Sequence, residues 1–457
     1  DGRSQLSAYE RKRLKNITEN AKFFASLQLH ESAARLHRIA TKRQLPVTKR
    51  TKPKKAEEEP VRRRSMRLQR VEPSEIAAPD VSTQPRAEEY PQVPAGPLPM
   101  LPEDQMGDSK LTEDLLATWM SISEVTVVTK VLVVLCRYQE SLNRMVLSEE
   151  NIRKVVKYRV CSMAIHPSES IIFLAAGDRN GQIGLWNVDC RSEEGAHSFI
   201  AHNDSVNCLH FSPCNPAHLL SLSSDTLRCA DVTRAVFDEI YRAEEMSCFD
   251  FLGDGSSTAV VGQWSGNILV VDRRTPAASP ELSADIGFRR TRTVHVHPVH
   301  KQYFMAAGST NVAVYDIRYL KASKNRPVST LQGHTKSVAS AYFSPVTGHR
   351  VVTVCADDKL SSQTSLHRRH NSNTGRWLSR FRAIWDPKQE DCFVVGSMLQ
   401  PRRIEVFQDT GKLLHTFYNP DCLASVCSIN VLHPSRNILV GGNSSGRLHV
   451  FKEETTG

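Results

Sequence analysis

A turn signal recurs along the second half of the chain at nearly constant spacing, and this period is the strongest constraint on the fold. Seven residue pairs typical of tight turns follow one another at steps of 41–47 residues: His166-Pro167, Ser212-Pro213, Gly253-Asp254, His297-Pro298, Ser344-Pro345, Asp386-Pro387 and His433-Pro434. Short apolar runs separated by Gly, Asn and Asp lie between them, as expected for strands joined by turns. A period of about 40–45 residues is typical of β-propeller blades. We therefore predict an all-β, seven-bladed β-propeller over residues 151–457.

The residues before the repeats differ in composition and predict three further segments. Residues 1–40 carry apolar side chains at three- and four-residue steps, which predicts an N-terminal amphipathic helix. Residues 41–110 are rich in proline and in charge, first basic and then acidic, which predicts a disordered linker. Residues 111–150 are mixed in character and predict a partly helical lead-in.

The formal net charge of +10 is unevenly distributed. Residues 1–70 hold 20 Lys and Arg against 7 Asp and Glu, whereas residues 151–457 hold 34 against 28. This pattern indicates a basic arm that carries a targeting signal or contacts polyanions. Two clusters in the arm resemble a bipartite nuclear import sequence, and they predict a nuclear protein, although the same charges also suit a nonspecific nucleic-acid tail: Lys49, Arg50, Lys52, Lys54, Lys55, Arg62, Arg63 and Arg64.

Other classes of protein are disfavoured by the sequence. The longest apolar run, Val125 to Cys136, is too short for a membrane helix and contains Lys130, so no membrane partner is predicted. The polar, charged N-terminus does not match a secretory signal. Eleven cysteines occur without CxxC pairs or zinc-ligand spacing, which predicts a reduced intracellular chain with buried thiols.

Two units depart from the regular pattern. The seventh unit supplies only three strands, so we expect the segment from Lys154 to Tyr158 to pair with it as the fourth strand and to remove the exposed sheet edges. The fifth unit lacks a third strand that ends in Trp-Asp or an equivalent pair, so its outer strands are expected to be truncated.

The ends of the third strands are degenerate Trp-Asp pairs, as in LWNVD (Leu185 to Asp189), and Gly333-His334 is an intact Gly-His dipeptide. With three longer strings, from Tyr9 to Phe24, Gly375 to Met398 and Gly441 to Phe451, the chain resembles the WD-repeat family close to DNA damage-binding protein 2. This resemblance implies a non-enzymatic protein of the DNA damage response that binds DNA or chromatin. It also implies a substrate receptor that joins a cullin-4 ubiquitin ligase through the DNA damage-binding protein 1 adaptor.

The strand order of a propeller sorts the loops onto two faces. Loops that lead into first strands, and loops between second and third strands, share the face called here the upper face. This face collects most of the predicted DNA-binding residues, whose cations would neutralise phosphates while Trp377 stacks on or wedges beside a base. The candidates are Lys157, Arg159, Arg179, Arg289, Arg290, Arg292, Lys336, Arg368, Arg369, His370, Arg376, Trp377, Arg380, Arg402 and Arg403. Solvated surface charges, and a Trp377 packed on the blade edge, are the simpler alternatives.

The opposite, lower face carries loops between first and second strands and loops after third strands. Here two consecutive units show an Asp-x-Arg pattern, in which the Asp fixes the turn and the Arg projects toward a partner. This pattern occurs in substrate receptors of cullin-4 ligases and predicts an adaptor-binding site at Asp272, Arg273, Arg274, Asp316 and Arg318. An ion pair within one unit is the alternative.

Catalytic motifs are lacking, so neither an enzyme nor a cofactor is predicted. The sequence contains no GxSxG, GxxxxGK[ST] or HExxH. His295, His297 and His300 lie close together without an acidic or Cys partner at ligand spacing, so no metal site is predicted. The functional alternative is a scaffold that binds only proteins, such as histone tails or other chromatin proteins, through its central channel.

Overall fold

The computed structural model describes residue 18 and residues 92–103, 110–124, 135–190, 195–253, 255–274, 279–362, 367–372 and 374–453. Side chains at 110–112, 135–136, 359, 361–362 and 367–369 are not described. Residues 87–457 form one compact unit. The predicted helix over 1–40 lies outside the described residues except for Thr18, and all eight nuclear-import residues lie outside them.

Short elements precede the repeats. In chain order they are β1 (Leu98–Pro99), α1 (Lys110–Ser123), α2 (Leu135–Arg144), β2 (Met145–Val146), a 3-10 turn (Glu149–Asn151) and β3 (Ile152–Lys154). Among the described residues, no helix combines the length and the apolar character needed to span a membrane.

The remaining strands form seven antiparallel sheets in which consecutive strands are neighbours. Sheets 1 to 3 comprise β4–β7 (Val160–Ile165, Phe173–Asp178, Gln182–Asn187, Ala196–Ile200), β8–β11 (Cys208–Phe211, His218–Leu222, Thr226–Asp231, Val236–Arg242) and β12–β15 (Met246–Leu252, Thr258–Gln263, Ile268–Asp272, Leu282–Ala284). Sheets 4 and 5 comprise β16–β19 (Thr293–Val296, Tyr303–Gly308, Asn311–Asp316, Ser329–Leu331) and β20–β23 (Val338–Phe343, Val351–Cys355, Lys359–Ser362, His367–Arg369), and a 3-10 turn at Ile317–Tyr319 follows β18. Sheets 6 and 7 comprise β24–β27 (Ile384–Trp385, Cys392–Ser397, Arg403–Gln408, Leu413–Tyr418) and β28–β30 (Ile429–Leu432, Ile438–Gly442, Arg447–Glu453).

The sheets are arranged around a central axis, with the first strand of each sheet innermost. From sheet 1 to sheet 6, the first strand of each sheet contacts the first strand of the next; β25 then contacts β28, and β28 contacts β4. Apolar runs such as β5 are buried throughout because a neighbouring sheet packs on each side. Gly177 permits one such approach, since a Cβ there would lie 2.5 Å from Val206 Cβ. The prediction of an all-β propeller is confirmed.

The closing strand lies slightly earlier than predicted. Ile152–Lys154 pairs with β30, where Ile152 is opposite His449 and Lys154 is opposite Arg447. The expected segment from Lys154 to Tyr158 instead turns inward, because the backbone N–H groups of Val155 and Val156 both donate to the Gly446 carbonyl. The sheet edge is nevertheless covered by chain from before the repeats.

The expected truncation of the fifth unit was wrong. Sheet 5 has four strands, although β22 and β23 are only four and three residues long. The outermost strand, β23, lies at the rim of the propeller, and β22 contributes the buried Leu360 to the core between sheets 5 and 6. The largely polar sequence of this unit therefore hid two short strands that backbone pairing and one buried leucine define.

Part of the predicted disordered linker is ordered, which corrects the boundary at residue 110. Residues 92–103, called here the strap, run along the edge of sheet 2, and β1 pairs with β11. The buried Arg228 guanidinium donates to the carbonyls of Gly96 (2.7 Å) and Pro94 (2.9 Å). Proline-rich chain is thus held by backbone pairing, by a charged group in the adjacent sheet and by burial of Met100 in the neighbouring core, none of which composition reveals.

The two helices before the repeats pack on lower-face loops. Trp119 of α1 is fully buried, its ring lies 5.7 Å from that of Phe173, and its Nε1 donates to the Pro216 carbonyl at 2.9 Å. Tyr138 of α2 donates its hydroxyl proton to Asp386 Oδ2 at 2.8 Å. Both helices are therefore integral to the propeller unit.

Candidate nucleic-acid interface

A long connection between sheets 5 and 6 crosses the upper face and builds most of the candidate site. This segment, residues 374–383, is called here the cross-face loop. The Ser379 hydroxyl donates to the Val160 carbonyl of sheet 1, and Arg159 donates to the carbonyl of Arg376. Leu378 and Phe381 of the loop are buried. These contacts bring together basic residues that are more than 200 positions apart in the sequence.

An open groove on the upper face is lined by four arginines, Arg159, Arg179, Arg376 and Arg380. Its other lining residues are Thr374, Gly375, Leu378 and Ser379, so no carboxylate lines it. Among the described residues, none of the four guanidinium groups forms an ion pair. A groove with several uncompensated cations and hydroxyl donors is suited to a polyanion.

A fifth arginine adds to the positive potential. Burial lowers the pKa of Arg380 below its usual value, and the nearby charge of Arg290 lowers it further. Arg289 and Arg290 are exposed in the loop that leads into β16. Like charges held this close repel one another, so an anion bound between them would relieve the repulsion.

Trp377 is the aromatic side chain of this surface. It is 53% exposed, and a Cβ at Gly375 would lie 2.8 Å from the indole ring. The absence of a side chain at position 375 therefore allows the ring to lie against the backbone while much of it faces solvent.

Other predicted residues surround the groove without lining it. Lys157 and Lys336 are exposed, and Lys157 lies 5.8 Å from the centre of the Tyr158 ring. Arg292 is half-buried over the Trp264 ring, 5.3 Å from its centre. They extend the basic surface around the ring of sheets.

Three predicted residues are not brought into the site, and the side chains of two more lie outside the described part. His370 is buried, and its Nε2 lies 2.8 Å from the Gly396 carbonyl, so we remove it from the candidate set. Arg402 donates to the Met398 carbonyl and Arg403 to the Pro401 carbonyl, so both guanidinium groups hold their own turn. Arg368 and Arg369 belong to the outer strand β23 rather than to a loop, and their side chains are outside the described part.

The lower face presents the Asp-x-Arg pairs as expected for projecting turns. Arg274 Nε donates to Asp272 at 3.0 Å, and Arg318 lies 2.7 Å from Asp316, yet the arginine side chains are 73% and 58% exposed. Hydrogen bonds from Arg274 lower the pKa of Asp272 to about 2. Each arginine thus forms an ion pair within its own unit and still exposes much of its guanidinium group to solvent.

Arg273 differs from its neighbours, because it is half-buried and donates to the Ser256 carbonyl at 3.0 Å. Sequence reasoning missed Tyr319, which is 74% exposed beside Arg318, with the guanidinium 5.7 Å from the ring centre. Its place directly after the Asp-x-Arg pattern was the available signal. Exposed aromatic and arginine side chains together are common at protein interfaces.

One group of described residues has the spacing of metal ligands. Ligand atoms of His334, Cys355 and Asp357 lie within 4.8 Å of one another. The group already has partners of its own, since His334 Nε2 lies 2.8 Å from Thr353 Oγ1 and Cys355 donates to the Lys336 carbonyl. His334 comes from the Gly-His dipeptide, so these bonds fix the loops of sheet 5.

The comparison with known proteins gives the family. WD repeat-containing protein 76 of Mus musculus is 52% identical over 474 residues, which cover 100% of this chain and 76% of the relative. The chain belongs to the WD repeat-containing protein 76 family. It spans about three quarters of that relative, and the predicted resemblance is confirmed. No family model matches the chain.

More distant relatives of this WD repeat-containing protein 76 family member carry names that refer to DNA damage. DNA damage-binding protein 2 of Oryza sativa is 26% identical over 331 residues, or 65% of this chain and 55% of the relative. DNA damage-binding protein cmr1 of Aspergillus oryzae is 24% identical over 532 residues, or 98% of this chain and 99% of the relative.

Proposed function

We propose that this chain is a nuclear, non-enzymatic WD-repeat protein of the DNA damage response that binds DNA through its upper face. The observation that carries the proposal is the groove lined by Arg159, Arg179, Arg376 and Arg380 without a carboxylate. The names of the distant relatives, which describe DNA damage binding, support it. The basic clusters of the arm, from Lys49 to Arg64, support nuclear import.

The chemistry of the groove fits a duplex. An arginine guanidinium can donate two parallel hydrogen bonds to the oxygens of one phosphate. The hydroxyl groups of Thr374 and Ser379 line the same groove. Trp377 stands at the rim with an exposed ring that can stack on a base or enter between base pairs. Phosphate contacts then position the protein, and Trp377 probes the stacking of the DNA.

Duplex binding measured at several salt concentrations tests this proposal. Replacing Arg159, Arg376 and Arg380 with Ala removes up to three phosphate contacts, and each contact contributes about 0.9 to the slope of log K against log salt. We therefore expect the slope to fall by about 2.7. The matched control replaces Arg274 and Arg318, which lie on the lower face, and should bind DNA normally. Equal salt slopes for the two variants would show that the groove is not the interface.

We further propose that the lower face joins a cullin-4 ubiquitin ligase through its DNA damage-binding protein 1 adaptor. The exposed guanidinium groups of Arg274 and Arg318, with the exposed Tyr319 ring beside the second, support this assignment. Replacing both arginines with Ala should abolish co-purification of the adaptor and leave DNA binding intact. The groove variant is the reciprocal control. Retention of the adaptor by the lower-face variant would overturn the assignment.

The second candidate is a scaffold that binds chromatin proteins only. It predicts that a histone-tail peptide binds to the chain with an affinity unaffected by the groove substitutions, while duplex DNA does not bind. Measuring both ligands on the same two variants separates the two functions.

We also propose that the seven sheets are the blades of one closed ring. The contacts between first strands from sheet 1 to sheet 6, and the contact of β28 with β4, support this count. Ring closure matters for function because it brings the cross-face loop into contact with sheet 1, where Arg159 and Arg179 complete the groove.

A further inference from the structure

The central channel contains a buried cluster of reactive side chains that the DNA and adaptor surfaces do not use. Cys208 and His210 lie two positions apart on β8, so both point to the same side of that strand. The cavity that they line also contains Cys248 and Asp250 of β12, and Arg382 of the cross-face loop. Its other titratable or charged lining groups are Arg292, His295 and Tyr342.

The two thiols of this cavity have opposite electrostatic environments. Burial alone would raise the pKa of Cys208, but the charge of His210, its hydrogen bond to the thiol and the charge of Arg382 hold the pKa below its usual value. Asp250 contributes by favouring the protonated form of His210. Burial raises the pKa of Cys248 to about 12. Of the two thiols, Cys208 is therefore the more readily deprotonated.

Arg382 places a positively charged guanidinium group in this cavity. Its guanidinium donates to the Asn207 carbonyl at 3.0 Å, and among the described residues it forms no ion pair with a carboxylate. A positive charge in such a cavity is costly unless a negative charge compensates it. The charge of Arg382 in turn favours the deprotonated form of Cys208, which lines the same cavity.

The same cavity offers an unused hydrogen-bond acceptor. Asn430 is 2% exposed and lines the cavity, and its Oδ1 has no hydrogen-bond partner in the described part of the chain. An acceptor at Asn430 and donors at Arg382 are the groups that a small polar molecule with an O–H group would bind. A hydroperoxide has this chemistry and is small enough for a narrow channel.

We propose that Cys208 is an oxidation site at which a hydroperoxide converts the thiolate to a sulfenic acid within the channel. The Cys208 sulfur attacks one peroxide oxygen, so that an S–O bond forms and the O–O bond breaks. Sulfur loses two electrons and the peroxide gains them. The departing hydroxide takes a proton from the His210 imidazolium and leaves as water, which gives Cys–SOH and neutral His210.

The test treats the reduced full-length chain with hydrogen peroxide in the presence of a sulfenic-acid trap and measures the labelling of each cysteine by mass spectrometry. We expect Cys208 to be labelled at least about tenfold faster than Cys248, which shares the cavity, and than Cys214, which is exposed. This comparison needs no substitution. Faster labelling of Cys248 or Cys214 would overturn the proposal.

Two variants test the role of the imidazole. His210→Asn should slow labelling of Cys208 about tenfold or more, because the positive charge beside the sulfur is lost. His295→Asn is the matched control in the same channel and should leave it unchanged, since burial lowers the pKa of His295 and keeps that ring neutral. Thermal unfolding of each variant verifies the fold. Unchanged labelling in a folded His210→Asn protein would refute the assignment.

Discussion

Replacing Arg228 with Met should make the strap, residues 92–103, open more readily from sheet 2. Arg228 is 1% exposed, and its guanidinium donates to the carbonyls of Gly96 at 2.7 Å and Pro94 at 2.9 Å. Methionine keeps an unbranched apolar stem but has no hydrogen-bond donor. The strap would keep its backbone pairing with β11 but lose its two charge-assisted bonds.

The size of the effect follows from those bonds. Each hydrogen bond from a charged donor contributes at least about 1.5 kcal/mol, so their loss lowers the free energy of strap opening by about 3 kcal/mol. This corresponds to roughly a hundredfold increase in the opening equilibrium. Arg228 also donates to Glu239 at 3.2 Å, but this carboxylate keeps a partner in the variant because Arg242 still donates to it at 2.9 and 2.8 Å.

Amide hydrogen exchange measures this opening at one position. The backbone N–H of Met100 donates to the Ala235 carbonyl at 2.9 Å and is protected only while the strap is docked. Its exchange should become about a hundred times faster in Arg228→Met. The control is Arg234→Met, because Arg234 pairs with Asp231 and Asp238 and, among the described residues, forms no hydrogen bond with the strap. A change of less than about threefold at Met100 would show that strand pairing, not Arg228, holds the strap.

Three further outcomes are expected in urea unfolding. Trp119→Ala should destabilise the protein by about 3–5 kcal/mol because it leaves a cavity under α1, whereas Trp377→Ala, at an exposed ring, should change stability by less than about 0.5 kcal/mol. Tyr138→Phe should remove about 1.5 kcal/mol by breaking the bond to Asp386. Burial lowers the pKa of His433 from 6.5 to about 4, so protons bind preferentially to the unfolded chain and stability should fall as the pH drops through this window. His433→Asn should flatten that pH dependence.

The repeat period and the apolar runs located the sheets because turn chemistry and strand burial are local properties. The same reasoning failed for the outer strands of sheet 5, whose largely polar sequence gives a weak burial signal, and for the strap, which is held by β11 and Arg228 more than 120 positions later and by burial of Met100. Both errors concern short segments with few apolar residues.

The basic residues show a similar limit. Loop topology placed Arg179 and Arg380 on one face correctly, and both line the groove. It also included His370, which is buried in the structure. A polar side chain in a loop can point inward when it hydrogen-bonds to a buried backbone carbonyl, as His370 does with Gly396. Side-chain direction is set by packing, which the sequence pattern does not encode.

The sequence by itself determined the repeat unit, the propeller class and the separation of cations between arm and repeats. Only the tertiary structure decided which cations share a surface and which side chains meet in the channel. Arg159 and Arg376 are neighbours because the cross-face loop packs Leu378 and Phe381 into the upper face. Cys208 and Arg382 line one cavity because strands from different sheets converge on the axis. Such contacts between distant residues arise when a long chain folds into a compact unit, so they cannot be predicted from the spacing of residues along the chain.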